Sequence, residues 1–408
     1  MKRLAIFCDG TWSSLRAPLG TNVVRLARSV LAVDPKSGRR QVVYYDDGVG
    51  AALGVSRLVD GATALLGGAL GRGLDQKIEQ AYRFLVLNYE PGDEVHLFGF
   101  SRGAYTARSL AGLMRKCGVL RRDCFDHAPE AMRRYRHRAG TDGHAFSGVD
   151  AHEVHDERAR RIAYLGLWDT VGSLGLPRVW PWAKWFNRRH GFHDTRASGL
   201  IAALRHAVAI DEDRKVLGVT EVANVHALNL AWARRASASL EREDPAYVPP
   251  EDRPYQQRWF VGDHGAVGGG NPERALSSAT LVWVAEGAER AGLALDWSPG
   301  GRLAEARRLA SPLAAWRIDR DGSPRATWQG DLMGWIGGYR DRRGPETAVD
   351  AHPSVAERIA ADPGYRPAAL QRITGVVGRP PLHRAARTIA LTVLLVVVIA
   401  VVLWRLIA

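Results

Sequence analysis

The sequence predicts an α/β fold in which a largely parallel sheet carries helices on both faces. Short apolar runs of strand length recur along the chain, and stretches with the apolar spacing of helices separate them. The clearest example is the run at residues 94–100, which follows a Pro-Gly-Asp turn signal and precedes a helical pattern over residues 104–114. A hydrophobic fraction of 46% in 408 residues suffices for one large core with loop insertions.

The predicted elements follow one another in a strand-and-helix rhythm. A strand over residues 4–8 opens the chain, and residues 74–89 form a helix with one apolar stripe, which we expect to pack beneath the strand at residues 94–100. Further strand-like apolar runs lie at residues 161–168 and 258–261. The sequence therefore predicts several strands joined by helices, the pattern of a parallel sheet.

The strand and helix at residues 94–114 enclose Gly99-Phe100-Ser101-Arg102-Gly103, which fits the pattern G-x-S-x-G. In hydrolases this pattern forms a strained turn between a strand and a helix and presents a serine nucleophile. Its glycines keep Cβ atoms away from the crowded backbones on either side. The flanking strand and helix patterns favour this interpretation over a coincidental turn, so Ser101 is the candidate nucleophile.

A nucleophilic serine needs a general base and an acid that orients the base. In this architecture the acid and then the histidine follow the serine along the chain, each after a later strand. Asp169 directly follows the run at residues 161–168, and His264 lies on a glycine-rich loop after residues 258–261. Taken singly, each residue also fits an ordinary turn or loop position. Their order favours a triad of Ser101, Asp169 and His264.

Several segments together resemble one known family. They are FCDGTW at the end of the first strand, GDEVHLFGFSRGAYTARSLAGLM, GLWDTVGSLG, HAVAIDEDR and WFVGDHGAVGGG. With these segments the chain resembles the α/β-hydrolase family that includes the type VI secretion phospholipase effectors, over residues 1–290 and more loosely to residue 370. The resemblance implies Ser101 as nucleophile, Asp169 as acid and His264 as base.

The loop around His264 departs from the pattern of that family. The resemblance predicts an aspartate two positions after the histidine, where this chain has Ala266, and Asp263 precedes the histidine instead. His352 is therefore kept as the alternative base, and His206 is a more distant candidate.

Ester hydrolysis also needs donors for the negative oxygen of the tetrahedral intermediate, the oxyanion hole. One donor is normally the backbone N–H after the nucleophile, here that of Arg102, and the second comes from a loop after an early strand. Gly10 and Thr11 are the candidates for the second donor. An aspartyl-phosphate phosphatase would need a nucleophilic carboxylate where this chain has Phe7, and this excludes that class.

The last part of the sequence predicts a membrane anchor. Residues 388–404 lack charged side chains, and residues 388–408 are long enough to span a bilayer as one transmembrane helix. Residues 376–387 form a basic, proline-containing linker, and the excess of arginine on this side indicates a cytoplasmic orientation. The first residues do not resemble an export signal, so we expect a C-terminally anchored protein with its catalytic domain in the cytoplasm.

Two insertions interrupt the predicted catalytic domain, which spans residues 1–375. The insertion at about residues 121–160 is charged and rich in histidine, which is typical of a solvated helical segment. The one at about residues 176–198 combines tryptophans with arginines. This composition suits a lid that opens at a lipid surface, and it suits rings packed against the body equally well.

Charge and cysteine content limit which partners, cofactors and cellular compartments we expect for this chain. A net charge of +13 favours contact with anionic lipid, whereas no nucleic-acid-binding motif is present and no nucleic-acid partner is expected. The 3 cysteines lack metal-ligand spacing and suggest a reducing compartment, and neither a metal nor a cofactor is predicted.

Together these features predict a membrane-anchored serine hydrolase that cleaves a carboxylic ester of a lipid or phospholipid through an acyl-enzyme. The alternative is a catalytically inert hydrolase fold that serves as an anchored binding or scaffold module.

Overall fold

A sheet of six parallel strands organises the described part of the chain. The computed structural model describes residues 1–10, 20–48, 69–136, 154–155, 161–172, 195–237, 248–272, 274–310 and 338–375. The strands are β1 (Arg3–Cys8), β2 (Gln41–Asp46), β3 (Glu94–Phe100), β4 (Ile162–Trp168), β5 (Leu204–Ala209) and β6 (Tyr255–Phe260). Their order across the sheet is β2-β1-β3-β4-β5-β6, and each neighbouring pair is parallel. The predicted α/β class is thus confirmed.

The helices connect the strands and cover the sheet. Within the described residues they are α1 (Asn22–Ala27), α2 (Ala69–Asn88), α3 (Arg102–Cys117), α4 (Ala128–Arg136), α5 (Val225–Ser237), α6 (His264–Gly268), α7 (Ala275–Arg290), α8 (Arg302–Leu309), α9 (Pro353–Ala361) and α10 (Gln371–Thr374). Short 3-10 helices lie at Arg122–His127, Lys215–Leu217, Ala348–Asp350 and Ala368–Leu370. The two helices predicted at residues 74–89 and 104–114 correspond to α2 and α3.

Alternating side chains of β1 fill two cores, one on each face of the sheet. Leu4 and Ile6 pack with α2, α3 and α4, whereas Ala5 and Phe7 pack with α1, α7 and α8. This alternation is the period of a strand that is buried on both sides. The prediction of helices on both faces is confirmed by these two layers.

Residues 338–375 pack against the sheet beside β6. Ala351 forms a parallel bridge to Trp259. Val355 and Leu370 belong to a hydrophobic cluster with the same tryptophan. This segment therefore contributes to the core, although it follows the last strand by many residues.

The strand order creates a topological switch between β1 and β3. From β1 the chain passes to β2 on one side, and the later strands extend from β3 on the other side. In open parallel sheets, ligands bind in the crevice outside the carboxyl ends of the strands at such a point. Gly10 follows β1 and Ser101 follows β3, so both lie at this crevice.

The first predicted insertion is described in part. It contains the 3-10 helix Arg122–His127 and α4, and α4 buries Ala128, Ala131 and Met132 against the core. The helix α4 packs its apolar face beside α3, as an amphipathic surface helix does, and residues 137–153 and 156–160 of the predicted insertion lie outside the described residues.

Other predictions concern residues outside the described part. They are the segment 176–194 of the second insertion, the linker at 376–387 and the anchor at 388–408. Among the helices that are described, none is both long enough and apolar enough to cross a membrane.

Candidate active site

Ser101 lies in the sharp turn between β3 and α3. Its backbone angles, φ 56° and ψ −121°, belong to a region that residues other than glycine rarely adopt. The Ser101 N–H donates to the Trp168 carbonyl at 3.0 Å, and its own carbonyl accepts from the Val171 N–H at 3.3 Å. These bonds to β4 and the loop after it hold the strained turn in place.

Gly99 and Gly103 allow β3, α3 and β1 to approach one another at this turn. A Cβ on Gly99 would lie closer than 3.0 Å to the backbone of Gly103 and Ala104. A Cβ on Gly103 would lie equally close to the carbonyl oxygens of Cys8 and Asp9. The two glycines of the G-x-S-x-G pattern are therefore required by the packing of the backbone.

His264 and Asp169 extend from Ser101 in a chain of hydrogen bonds. His264 Nε2 lies 2.8 Å from Ser101 Oγ, and His264 Nδ1 lies 2.6 Å from Asp169 Oδ2. A carboxylate can only accept, so Nδ1 carries the proton and Nε2 accepts from the serine hydroxyl. This is the tautomer that a general base needs. The structure thus brings together the three residues that sequence order predicted.

Arg342 is the second partner of Asp169, which is fully buried. Its Nη1 lies 2.6 Å from Asp169 Oδ1 and its Nη2 lies 2.9 Å from Oδ2, while the Ala209 N–H donates to Oδ1 at 3.0 Å. Burial alone would raise the pKa of Asp169. The charge of Arg342 and the hydrogen bonds from His264 and Arg342 outweigh burial, and they hold this pKa well below its usual range.

The helix α6 begins at His264, and two carboxylates fix its start. Asp263 is the N-cap, and its Oδ1 accepts from the Ala266 N–H at 2.8 Å. Glu212 accepts from the His264 N–H at 3.2 Å and also pairs with Arg214. The aspartate that precedes the histidine therefore caps the helix that carries the candidate base.

The alternative histidines lie in other surroundings. His352 is the N-cap of α9, where its Nδ1 is 2.8 Å from Ser354 Oγ and its ring stacks on Phe260. His206 lies within β5, and its ring contacts Thr170 and Gln257. Burial lowers the pKa of each ring to about 4. Among the histidines that the structure describes, His264 is the one hydrogen-bonded to Ser101.

The predicted oxyanion donors are described in part, since Thr11 lies outside the described residues. Arg102 is the first residue of α3, so its N–H belongs to the positive end of that helix. Gly10 lies beside the turn, and a Cβ built on it would be 3.5 Å from the Ser101 Cβ. However, the Gly10 N–H donates to Asp9 Oδ1 at 2.6 Å, so a substrate oxygen would compete with Asp9 for this donor.

Asp9 lies in the segment predicted to supply the second oxyanion donor, but its buried carboxylate was not among the predicted site residues. It is 3% exposed, and its Oδ2 accepts from the hydroxyls of Thr21 at 2.7 Å and Tyr45 at 2.6 Å. Burial raises the pKa of Asp9 to about 6, although hydrogen bonds from Tyr45, Thr21 and Gly10 oppose the rise.

Arg342 and Glu212 were also missed by sequence reasoning. Arg342 lies in a charged run, YRDRR, which resembles an exposed loop and carries no strand or helix period. Glu212 follows β5 within the segment HAVAIDEDR, and only that position after a strand could have indicated a role. In the described ranges, no three His, Cys, Asp or Glu residues form a group that could hold a metal ion.

Comparison with models of known protein families assigns the chain to one family. Residues 2–287 match the family described as "T6SS, Phospholipase effector Tle1-like, catalytic domain". The chain belongs to this family, which confirms the resemblance inferred from its motifs.

The individual relatives share only low sequence identity with this chain. The uncharacterized protein YEL023C of Saccharomyces cerevisiae is 28% identical over 228 residues, which cover 52% of this chain and 31% of the yeast protein. An uncharacterized protein from Pseudomonas aeruginosa matches with a TM-score of 0.36 and 17% identity, over 94% of this chain and 65% of that one. A Tle1 effector, solved bound to the VgrG spike of the type 6 secretion system, matches with a TM-score of 0.35 and 16% identity, over 67% and 52%. The chain thus spans less than two thirds of each of these relatives.

Proposed function

We propose that this chain is a serine hydrolase that cleaves a carboxylic ester of a lipid or phospholipid through an acyl-enzyme. The observation that carries the proposal is the hydrogen-bond chain from Ser101 through His264 to Asp169, located at a strained turn beside the switch point of the sheet. An activated serine of this kind is the nucleophile of acyl transfer. Membership of the Tle1-like phospholipase effector family supports the lipid substrate class.

In the proposed mechanism, Ser101 Oγ attacks the ester carbonyl while His264 Nε2 takes the serine proton. Asp169 keeps the imidazole in the required tautomer and stabilises the imidazolium that forms. The backbone N–H of Arg102 and a second donor near Gly10 would hold the developing oxyanion. His264 then protonates the leaving alcohol. In the second half, water attacks the acyl carbonyl while His264 takes its proton, and the bond to Ser101 Oγ breaks as His264 returns a proton to the serine.

Fatty-acid release from phospholipid vesicles tests the proposal. The full chain should hydrolyse vesicles of phosphatidylethanolamine and phosphatidylglycerol, and Ser101→Ala should lower the rate by about 10⁴-fold or more. His352→Ala should keep the wild-type rate, because the His352 ring contacts Ser354 and Phe260. Hydrolysis that survives in Ser101→Ala would remove the proposal, whereas vesicle binding without hydrolysis of any ester would favour an anchored binding module.

We also propose that residues 388–408 anchor the chain in a membrane, with the hydrolase on the cytoplasmic side. The support comes from the sequence, since the uncharged segment is flanked by Arg387 and Arg405 and basic residues concentrate before it. An anchor of this kind would keep the candidate active site close to lipid.

A further inference from the structure

We infer that Arg342 is a positioning residue of the proposed hydrolase, which fixes the Asp169 carboxylate beside His264 and balances its charge. The inference rests on the proposed function, because it assigns a role in the same reaction. Arg342 lies beyond residues 2–287, the part of the chain that matches the family. A segment outside the matched catalytic domain therefore completes the candidate active site.

The contacts of Arg342 tie three separate segments together. In addition to its two bonds to Asp169, Nη1 donates to the Ala209 carbonyl at 2.9 Å and Nη2 donates to the Leu217 carbonyl at 2.8 Å. The side chain is only 5% exposed. The residue after β4, the end of β5 and the 3-10 helix Lys215–Leu217 are thus joined through one guanidinium.

This arrangement leaves the Asp169 carboxylate no freedom to rotate. Oδ2 accepts from His264 Nδ1 and Arg342 Nη2, and Oδ1 accepts from Arg342 Nη1 and the Ala209 N–H. Rotation about the carboxylate bond would break charge-assisted bonds on both oxygens. Asp169 also has a φ of 39°, a strained value that its surroundings must maintain.

Arg342 also supplies the positive charge that this buried cluster needs. Arg214 is already paired with Glu212 and lies 3.6 Å from Asp263, so Arg342 is the cation that faces Asp169. Among the residues that the structure describes, the other titratable groups that interact with Asp169 are His264 and His206, and burial favours the neutral form of His206. Without Arg342, a fully buried carboxylate would have lost its positive partner, which is strongly unfavourable.

The backbone that presents Arg342 is itself held beside β5. The Lys215 N–H donates to the Gly338 carbonyl at 3.0 Å, and the Arg340 N–H donates to the Asp213 carbonyl at 2.6 Å. Tyr339 forms an antiparallel bridge with Arg214. Residues 338–342 therefore dock as a short extended segment, and this fixes where the guanidinium lies.

Kinetics of Arg342 variants across pH test the inference, with p-nitrophenyl butyrate as substrate and the full chain in detergent. Arg342→Met should lower kcat/KM by about 100-fold, because a displaced Asp169 leaves the base misaligned. The acid limb of its pH profile should move to higher pH, since a positive charge that opposes protonation of the base is lost. Arg342→Lys should keep the position of the limb and still lose rate, because an ammonium cannot bind both oxygens as a fork.

Arg358→Met is the matched control, because it removes the same side chain from the same C-terminal segment. The Arg358 side chain is 4% exposed, pairs with Asp362 at 3.3 Å and lies over the Tyr365 ring. This variant should lower the melting temperature but leave kcat/KM and the acid limb at their wild-type values.

Wild-type kinetics and an unmoved acid limb in Arg342→Met would overturn the inference, and so would an equal loss of rate in Arg358→Met. If Arg342→Met does not fold, Arg342→Lys decides, and a full wild-type rate in that variant would contradict the inference. A wild-type chain without Ser101-dependent hydrolysis would instead refute the proposed function, and this inference with it.

Discussion

Two buried carboxylates, Asp9 and Asp169, directly follow β1 and β4 at the carboxyl edge of the sheet, and their surroundings move their pKa values in opposite directions. Asp169 faces the full positive charge of Arg342, and its pKa lies well below the usual range despite burial. The donors described for Asp9 are neutral, and burial raises its pKa to about 6. A charged partner thus overcomes desolvation here, whereas neutral hydrogen bonds do not.

The raised pKa of Asp9 predicts a pH-dependent stability. A carboxyl whose pKa is raised on folding contributes stability that is complete below its unfolded value of about 4 and is lost as pH rises through about 6. Asp9→Asn removes this dependence. When the pH rises from 4 to 7, the wild type should lose about 2 kcal/mol of unfolding free energy that the variant does not lose. Urea unfolding at several pH values measures the difference, and a constant difference would contradict the prediction.

For individual residues, the sequence predicts those that react more readily than those that hold the reacting residues in place. Ser101, Asp169 and His264 each follow an apolar run, so local pattern and chain order were enough to predict them. Arg342 is 173 positions from the aspartate that it binds, and it lies in a run with no period. Its role depends on a tertiary contact, which local sequence does not encode.

At the scale of elements, the strands that sequence reasoning missed are β2 and β5. The edge strand β2 is only half-buried, so its apolar pattern is weak. The strand β5 is fully buried but contains Arg205 and His206, whose polar atoms bind Trp283, Thr170 and Gln257. Polar side chains that tertiary partners satisfy interrupt the apolar run by which a buried strand is recognised.

The turn between β3 and α3 carries a prediction of its own. Gly103→Ala should abolish hydrolysis and destabilise the fold by about 1–3 kcal/mol, because its Cβ would collide with the carbonyl oxygens of Cys8 and Asp9. Gly199→Ala is the control, since a Cβ there meets no atom within 4 Å, and it should change stability by less than about 0.5 kcal/mol. Urea unfolding and ester hydrolysis measure both variants. If the two variants had the same stability and the same hydrolysis rate, the close approach of Gly103 to the carbonyls of Cys8 and Asp9 would not be required.

At the scale of the whole molecule, the parallel sheet gathers residues that are distant in sequence. Ser101, Asp169 and His264 follow β3, β4 and β6, and the carboxyl ends of parallel strands meet at one edge. This rule makes their proximity predictable from the sequence. Hydrogen-bond lengths and the docking of residues 338–342 depend on packing, and no sequence pattern reports them.

The proposed anchor predicts how the chain partitions in cells. Val396→Arg together with Ile399→Arg should move the protein from the membrane pellet to the soluble fraction, because each central arginine costs about 2.5–3.5 kcal/mol on insertion. Val396→Leu together with Ile399→Leu keeps the segment apolar and should stay in the pellet after a carbonate wash. An arginine variant that also stays in the pellet would show that another surface holds the protein on the membrane.

Covalent labelling of the full chain by a fluorophosphonate probe tests whether Ser101 is an activated nucleophile, because only an activated serine reacts with this probe. The proposed triad predicts one label per wild-type chain, none on Ser101→Ala, a strong loss on His264→Ala and wild-type labelling of His352→Ala. A folded wild-type chain that takes no label, or a label that persists in Ser101→Ala, would contradict it.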